Sequence, residues 1–455
     1  MSEGLSWIGI FRLGLVQTAL GSVVILTTST LNRVMVVELA LPAMIPGFLV
    51  SLHYAVQMSR PRLGYGSDIG GRRTPWIIGG ILTLGIGATG ASAATMLMAI
   101  HPTWGFILSL IAFLLIGIGV GAAGTSLLVL LAKLVDGRRK PAAATIVWIM
   151  MIVGFVVTTT VVGHYLDPFS LPKLILITAL VSILALSVTL LAVWNLEDNA
   201  IANKKPEAPI AKKPEFMIAL KEVWQEKDAR IFTLFVFFSM LAYSTQDLIL
   251  EPFAGAVFGM SPGASTQLSG VHHGGVLLGM LVVALVATLG QKAGVAALRR
   301  WTVGGCIASA IALVGLVRGG FDASNWQLDA NVFVLGIANG SFAVAAIASM
   351  MMLAGYGSSG REGLRMGLWG AAQAIAFGLG GFLGTVGIDL ASLVFTELAS
   401  VYGLVFSIEA LLFLLAAVIG LRVRTPELTN NKEIPSFGEI ASTEILGGAT
   451  IERCM

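Results

Sequence analysis

The chain has 455 residues, 56% of them hydrophobic and 12% charged, with a net charge of +3 at pH 7. A soluble protein of this size carries roughly twice that charge fraction, so a water-soluble globule is excluded. The apolar residues come in blocks of about 20, the length a helix needs to cross a bilayer, and not in the short alternating runs of a membrane barrel. The expected fold is an all-α polytopic membrane protein. Its small positive charge lies in loops, where it reports orientation and not nucleic-acid binding.

Taken in order, the apolar blocks predict twelve spans: 12–37, 42–59, 75–99, 104–133, 141–163, 172–194, 230–252, 266–289, 296–317, 330–355, 364–388 and 394–421. No small-residue cleavage site follows the first block, which reads as a retained helix. One set of loops holds Arg60, Arg62, Arg72, Arg73, Lys133, Arg138, Arg139, Lys140, Lys204, Lys205, Lys212, Lys213, Lys292, Arg299, Arg300, Arg361 and Arg365. The alternate loops hold mainly His101, His164, Asp167, Asp322, Asp329, Asp389 and Glu397. That asymmetry predicts both termini on the cytoplasmic side. Residues 195–229 interrupt the rhythm with a Pro- and Lys-rich linker, and Phe216, Leu220, Val223 and Trp224 then recur at helical spacing, as in a short surface helix. The organisation expected is a six-helix half over 1–194, a cytoplasmic linker over 195–229, a second six-helix half over 230–422 and a polar tail over 423–455. Glycines crowd the fourth span (Gly117, Gly119, Gly121, Gly124) and the eleventh (Gly378, Gly380, Gly381, Gly384), where small residues let backbones approach. Cys306 and Cys454 lie far apart and imply no disulfide framework.

Ionisable groups inside apolar spans are costly and therefore informative. Arg33 and Glu38 end the first span; Asp247 and Glu251 end the seventh, its counterpart in a two-repeat chain. At 1.5 Å per residue, Arg33 lies roughly 32 Å beyond Arg12, and Asp247 roughly 25 Å beyond Arg230, so both approach the outer face. Arg33 is expected to pair with Asp247 or Glu251 and clasp the halves there; the plainer reading is interfacial snorkelling. His53 lies roughly 10 Å inside the membrane with Gln57 one turn on, and could donate a hydrogen bond, relay protons or ligate a metal. A lone membrane histidine is more often a packing residue; His272 and His273 are weaker candidates of the same kind. No phosphate-binding G-x-x-x-x-G-K-[ST] sequence, metal-ligand cluster or nucleophile–base–acid set is present, so ATP, a free metal and enzymatic catalysis are not expected. The fourth span has no charge from Phe106 to Leu131, and no deep titratable residue stands out. A mostly apolar cavity of that kind suits a lipid-like or pigment-like ligand.

Gly64-Tyr-Gly-Ser-Asp68-Ile-Gly-Gly71-Arg72-Arg73 resembles the loop signature of the major facilitator superfamily, with Ile69 where that pattern prefers a basic residue. Asp68 can face a helix N-terminus, and Arg72 and Arg73 can pair with acids or lipid phosphates; the plainer reading makes them topology determinants alone. TLNRVMVVELALPA, HYAVQMSRPRLGYGSDIGGRRTPWIIGG, TQDLILEPFAG and LGLWGAAQAIAFGLGG together resemble the PucC/LhaA family of phototrophic bacteria, the bacteriochlorophyll-delivery branch of that superfamily. The compact SDIGGRRTPWIIGG hairpin looks more like the family member encoded among bacteriochlorophyll-synthesis genes. The resemblance implies a multi-pass inner (intracytoplasmic) membrane protein that delivers or holds bacteriochlorophyll during assembly of light-harvesting or reaction-centre complexes. It implies antenna polypeptides, pigment-synthesis enzymes and the membrane-insertion machinery as partners, with bacteriochlorophyll as cargo and His53 as a candidate ligand of its magnesium. Two readings compete with it: a proton-coupled exporter of a small amphipathic molecule, and a scaffold without a ligand.

Overall fold

The structure is a computed structural model that describes residues 5–57, 72–135, 139–197, 221, 223–289, 295–354 and 362–423. The described chain is helical. The first half holds α1 (Trp7–Glu38), α2 (Met44–Gln57), α3 (Thr74–Met98), α4 (Pro102–Leu134), α5 (Lys140–Leu166) and α6 (Leu171–Val193). The second holds α7 (Lys227–Phe258), α8 (Pro262–Leu289), α9 (Val295–Phe321), α10 (Leu328–Ala354), α11 (Glu362–Ser392) and α12 (Leu398–Leu421). Among the described residues, eleven helices are long and apolar enough to cross a membrane. The 14 described residues of α2 fall short of that length, and the rest of the second predicted span lies outside the described residues. The linker helix predicted around 216–224 and the tail from 424 also lie largely or wholly outside them.

Local chemistry sets the helix ends. Ser6 caps α1 by accepting from the Gly9 N–H (3.2 Å), and prolines stand in the first turns of α3, α4 and α6, where no intrahelical donor is lost. Gly259, at φ +67°, closes α7 in the left-handed conformation that glycine adopts without strain. The seventh span was expected to end at 252, yet α7 runs on through Pro252 to Phe258. The missing proline N–H leaves the Leu248 carbonyl without its helical donor, and the Asn32 Nδ2 of α1 donates to it instead.

Each half packs around its own apolar core. Phe235, Phe253, Phe342, Phe406, Phe413 and Trp369 fill the second half, and Leu13, Val23, Leu84, Phe113 and Ile116 lie in the first. Small residues set the spacing of helices: a Cβ on Gly119 of α4 would stand 2.5 Å from the Leu84 amide nitrogen of α3, so the two backbones touch there. Bare leucines and isoleucines such as Ile183, Leu184, Leu191 and Ile311 stand outward, the sign of a surface that meets lipid and not water.

Candidate functional site at the junction of the two halves

The end of the bundle that bears the described chain termini is called the terminal end, and its opposite the far end. The polar side chains of α1 lie where that helix changes its winding. Leu26–Thr30 and Val34–Glu38 are π turns separated by one short α segment, Leu31–Arg33. Such turns bond i to i+5 and turn extra residues to one side, and they recur at functional positions. Here they aim Ser29, Thr30, Asn32 and Arg33, all buried, at the second half.

Arg33 forms no ion pair with Asp247 or Glu251, contrary to expectation. Its Nη1 pairs with Glu38 at 2.5 Å, and its Nη2 donates to the Met260 carbonyl at 2.7 Å. In an α-helix, residues five apart point well away from each other; the π turn Val34–Glu38 brings Glu38 back beneath Arg33. The guanidinium nevertheless clasps the halves, because Met260 follows the C-terminal end of α7, where a cation is favoured. It lies flat on Gly255, whose Cβ would stand 2.9 Å from Nη2. Glu251 accepts a short hydrogen bond from Ser29 Oγ, which lies 3.3 Å from Ser269 Oγ, and the Thr30 and Thr266 hydroxyls meet at 3.2 Å.

Two aspartates complete this end. Asp167, after α5, accepts from Ser261 Oγ (2.5 Å) and the Gly263 N–H (3.2 Å), capping α8. Asp389, near the end of α11, accepts from the N–H groups of Ala43 and Met44 (2.9 and 2.8 Å), capping α2. The arrangement repeats by halves: the fifth helix of each ends in an aspartate that caps the second helix of the other. Sequence reading placed both residues in outer loops and found no role for them. Across the middle of α2, Ser51 Oγ donates to the Gly378 carbonyl of α11 at 2.7 Å.

At the terminal end two carboxylates bind residues of their own half. Glu197 accepts from the Arg73 and Thr74 N–H groups (2.8 and 2.9 Å) and the Thr74 hydroxyl, and Glu226 holds Arg365 at 2.7 Å. Arg73 is buried and Arg72 exposed; Gly64, Asp68 and Gly71 lie outside the described residues.

Mid-depth is not bare of charge, contrary to expectation. Asp247 lies roughly 16 Å from the far end of α7, and Glu409 of α12 at about the same depth. Glu409 is fully buried, and neither of its carboxylate oxygens has a hydrogen-bond partner among the described residues. Sequence reading missed Glu409 because a single acid in an otherwise apolar block barely lowers its hydropathy. His272 Nε2 meets Gln246 Nε2 (3.1 Å) and Asn339 Nδ2 (3.3 Å), and His273 Nδ1 meets the Ser269 carbonyl (2.8 Å). His53 is buried with Nδ1 3.0 Å from the Val50 carbonyl and Nε2 2.8 Å from Gln57 Nε2, so both ring nitrogens are engaged along α2. Beside it a row of rings crosses from one half to the other: Tyr54 to Phe377 (5.8 Å between centroids), Phe377 to Tyr243 (5.9 Å) and Tyr243 to Phe342 (6.3 Å). Tyr54, Phe377 and Tyr243 stay half-buried where the halves meet. Among the described residues no three His, Cys, Asp or Glu side chains group as a metal site.

Helices in this order, with polar residues gathered between two six-helix bundles, define a major-facilitator-like membrane protein. Solved structures agree on the fold. A D-xylose–proton symporter superposes with TM-score 0.68 over 91% of this chain and 97% of its own, at 14% identity. A bacterial homologue of the human lysosomal transporter Spinster does so with TM-score 0.65 over 90% and 95%, at 13% identity. Within that class the chain belongs to the PUCC protein family, whose model matches residues 30–428. It is 51% identical to the "Bacteriochlorophyll synthase 44.5 kDa chain" of Rhodobacter capsulatus over 91% of this chain and 95% of that protein. It is 30% identical to "Protein PucC" of Cereibacter sphaeroides over 81% of each. The higher identity to the former agrees with the reading of the compact hairpin.

Proposed function

We propose that this protein is a carrier of bacteriochlorophyll in the photosynthetic inner membrane, holding or delivering the pigment while antenna or reaction-centre complexes assemble. The names of its relatives supply the pigment. The observation that carries the site is the aromatic row Tyr54–Phe377–Tyr243, half-buried at the seam of the two halves. Flat rings on both sides of an apolar seam suit a planar tetrapyrrole, whose stacking and burial supply affinity without charge. The proposed partners are the antenna polypeptides, the pigment-synthesis enzymes and the insertion machinery, and both termini are assigned to the cytoplasm. The work is carriage, not catalysis. As placed, His53 Nε2 faces Gln57, so coordination of a chlorin magnesium by His53 requires Gln57 to turn away.

The test is the absorption spectrum of the protein purified in mild detergent from a bacteriochlorophyll-producing host. A pigment band is expected in the parent and in His53→Ala, and a band reduced roughly tenfold in Tyr243→Ala combined with Phe377→Ala, the loss of about 1.4 kcal/mol of binding. A colourless parent that still captures antenna polypeptides overturns carriage in favour of a scaffold. One observation favours the second reading, a proton-coupled exporter: Asp247 and Glu409 each stand 11 residues from the far end of their helices, at mid-depth in the second half. That reading requires an imposed proton gradient to drive movement of cargo in vesicles, with Glu409→Gln abolishing it.

A further inference from the structure

Five oxygen-bearing side chains meet where α1 widens between the halves: Ser29 and Thr30 of α1, Glu251 of α7, and Thr266 and Ser269 of α8. All are buried, with exposures of 4% or less. Ser29 Oγ binds one oxygen of Glu251 and lies 3.3 Å from Ser269 Oγ, and Thr266 Oγ1 meets Thr30 Oγ1 at 3.2 Å. The other oxygen, Oε2, is buried and has no hydrogen-bond partner among the described residues. The nearby Arg33 does not balance Glu251, since it is paired with Glu38. Taken together, Arg33, Glu38 and Glu251 leave one uncompensated negative charge; Asp247, one turn away along α7, takes no part in the cage contacts. His273 lies one turn beyond Ser269 and turns Nδ1 to the Ser269 carbonyl, its ring edge-on to Phe155. A bare carboxylate this deep is strongly disfavoured.

We propose that this cage is a binding site for a small hard monovalent cation, sodium, that bridges the two halves. Hydroxyl and carboxylate oxygens are the ligands of hard cations, and the cage offers no nitrogen or sulfur to hold a softer metal. The cage itself carries one net negative charge, which a monovalent ion balances. The hydroxyl pairs Ser29–Ser269 and Thr30–Thr266 stand 3.3 and 3.2 Å apart, close enough for one small ion to touch both members of a pair. Altered winding of a membrane helix at an ion site is a recurrent device. Because α1 brings ligands from one half and α7 and α8 from the other, sodium binds only while the far end is closed and so stabilises that state.

The test is thermal unfolding of the full chain in detergent at constant pH and ionic strength, with sodium chloride replaced stepwise by potassium or N-methylglucamine chloride. The expected result is a saturable rise in Tm specific to sodium, absent in Glu251→Gln. In Ser269→Ala the half-saturating sodium concentration rises roughly tenfold, the equivalent of losing about 1.4 kcal/mol of binding, and Ser269→Thr, which keeps a hydroxyl, restores it. Should Glu251→Gln fail to fold, the pair Ser269→Ala and Ser269→Thr carries the test. Equal Tm in all three cations overturns the proposal. So does stabilisation by acid alone without sodium, which would place a proton on Glu251 instead.

Discussion

Asn32 and Pro252 show how a residue's role can be set by an atom that is missing elsewhere. Pro252 cannot donate to Leu248, and Asn32 fills that place from another helix of the opposite half. Replacing Asn32 by Leu strands a buried carbonyl, and a loss of about 1–3 kcal/mol of stability is expected. Pro252→Ala restores the helical donor, so the double variant should recover most of that loss. A double-mutant cycle by thermal unfolding checks this; simple additivity would contradict the account. Arg33 obeys a related logic. It is 2% exposed, and its planar fork serves Glu38 and the Met260 carbonyl together. Arg33→Lys should therefore behave like Arg33→Ala in a thermal melt, each leaving Glu38 or Met260 without its donor. The sequence made Arg33 and Glu251 legible, because charges in apolar blocks stand out. It did not reveal their partners, since a helical wheel assumes α winding and α1 departs from it twice.

At the scale of elements, the two aspartate caps are the clearest device. Each carboxylate meets the positive N-terminal end of a helix in the other half, an arrangement worth about 1 kcal/mol per cap. Removing both caps should loosen the far end. The readout is labelling of Ala43→Cys, in a Cys306→Ser and Cys454→Ser background, by a membrane-impermeant maleimide. Labelling should quicken about thirtyfold, the equivalent of about 2 kcal/mol, when Asp167→Ala and Asp389→Ala are combined, and less in either alone. An unchanged rate would show that the caps do not hold the far end. Eleven of the spans were legible from apolar blocks alone. Their ends were displaced where chemistry intervened: the seventh span, expected over 230–252, runs on to Phe258 because Asn32 of α1 accommodates Pro252. The caps were not legible, because an aspartate in a loop looks like any solvated charge until the opposite helix is in place.

At the scale of the molecule, two apolar bundles meet along a seam that is polar toward the far end and aromatic at mid-depth. Lipid surrounds the bundles, so apolar burial between helices gains little over contact with lipid, and close backbones and buried hydrogen bonds decide how the halves associate. The central claim is that the aromatic seam receives a planar pigment. Its most direct test is titration of bacteriochlorophyll into the purified protein in lipid nanodiscs, with empty nanodiscs as reference. The account predicts a saturable change in the pigment's red absorption band at about one pigment per chain, weakened by Phe377→Ala. Non-saturating uptake equal to that of empty nanodiscs would contradict it.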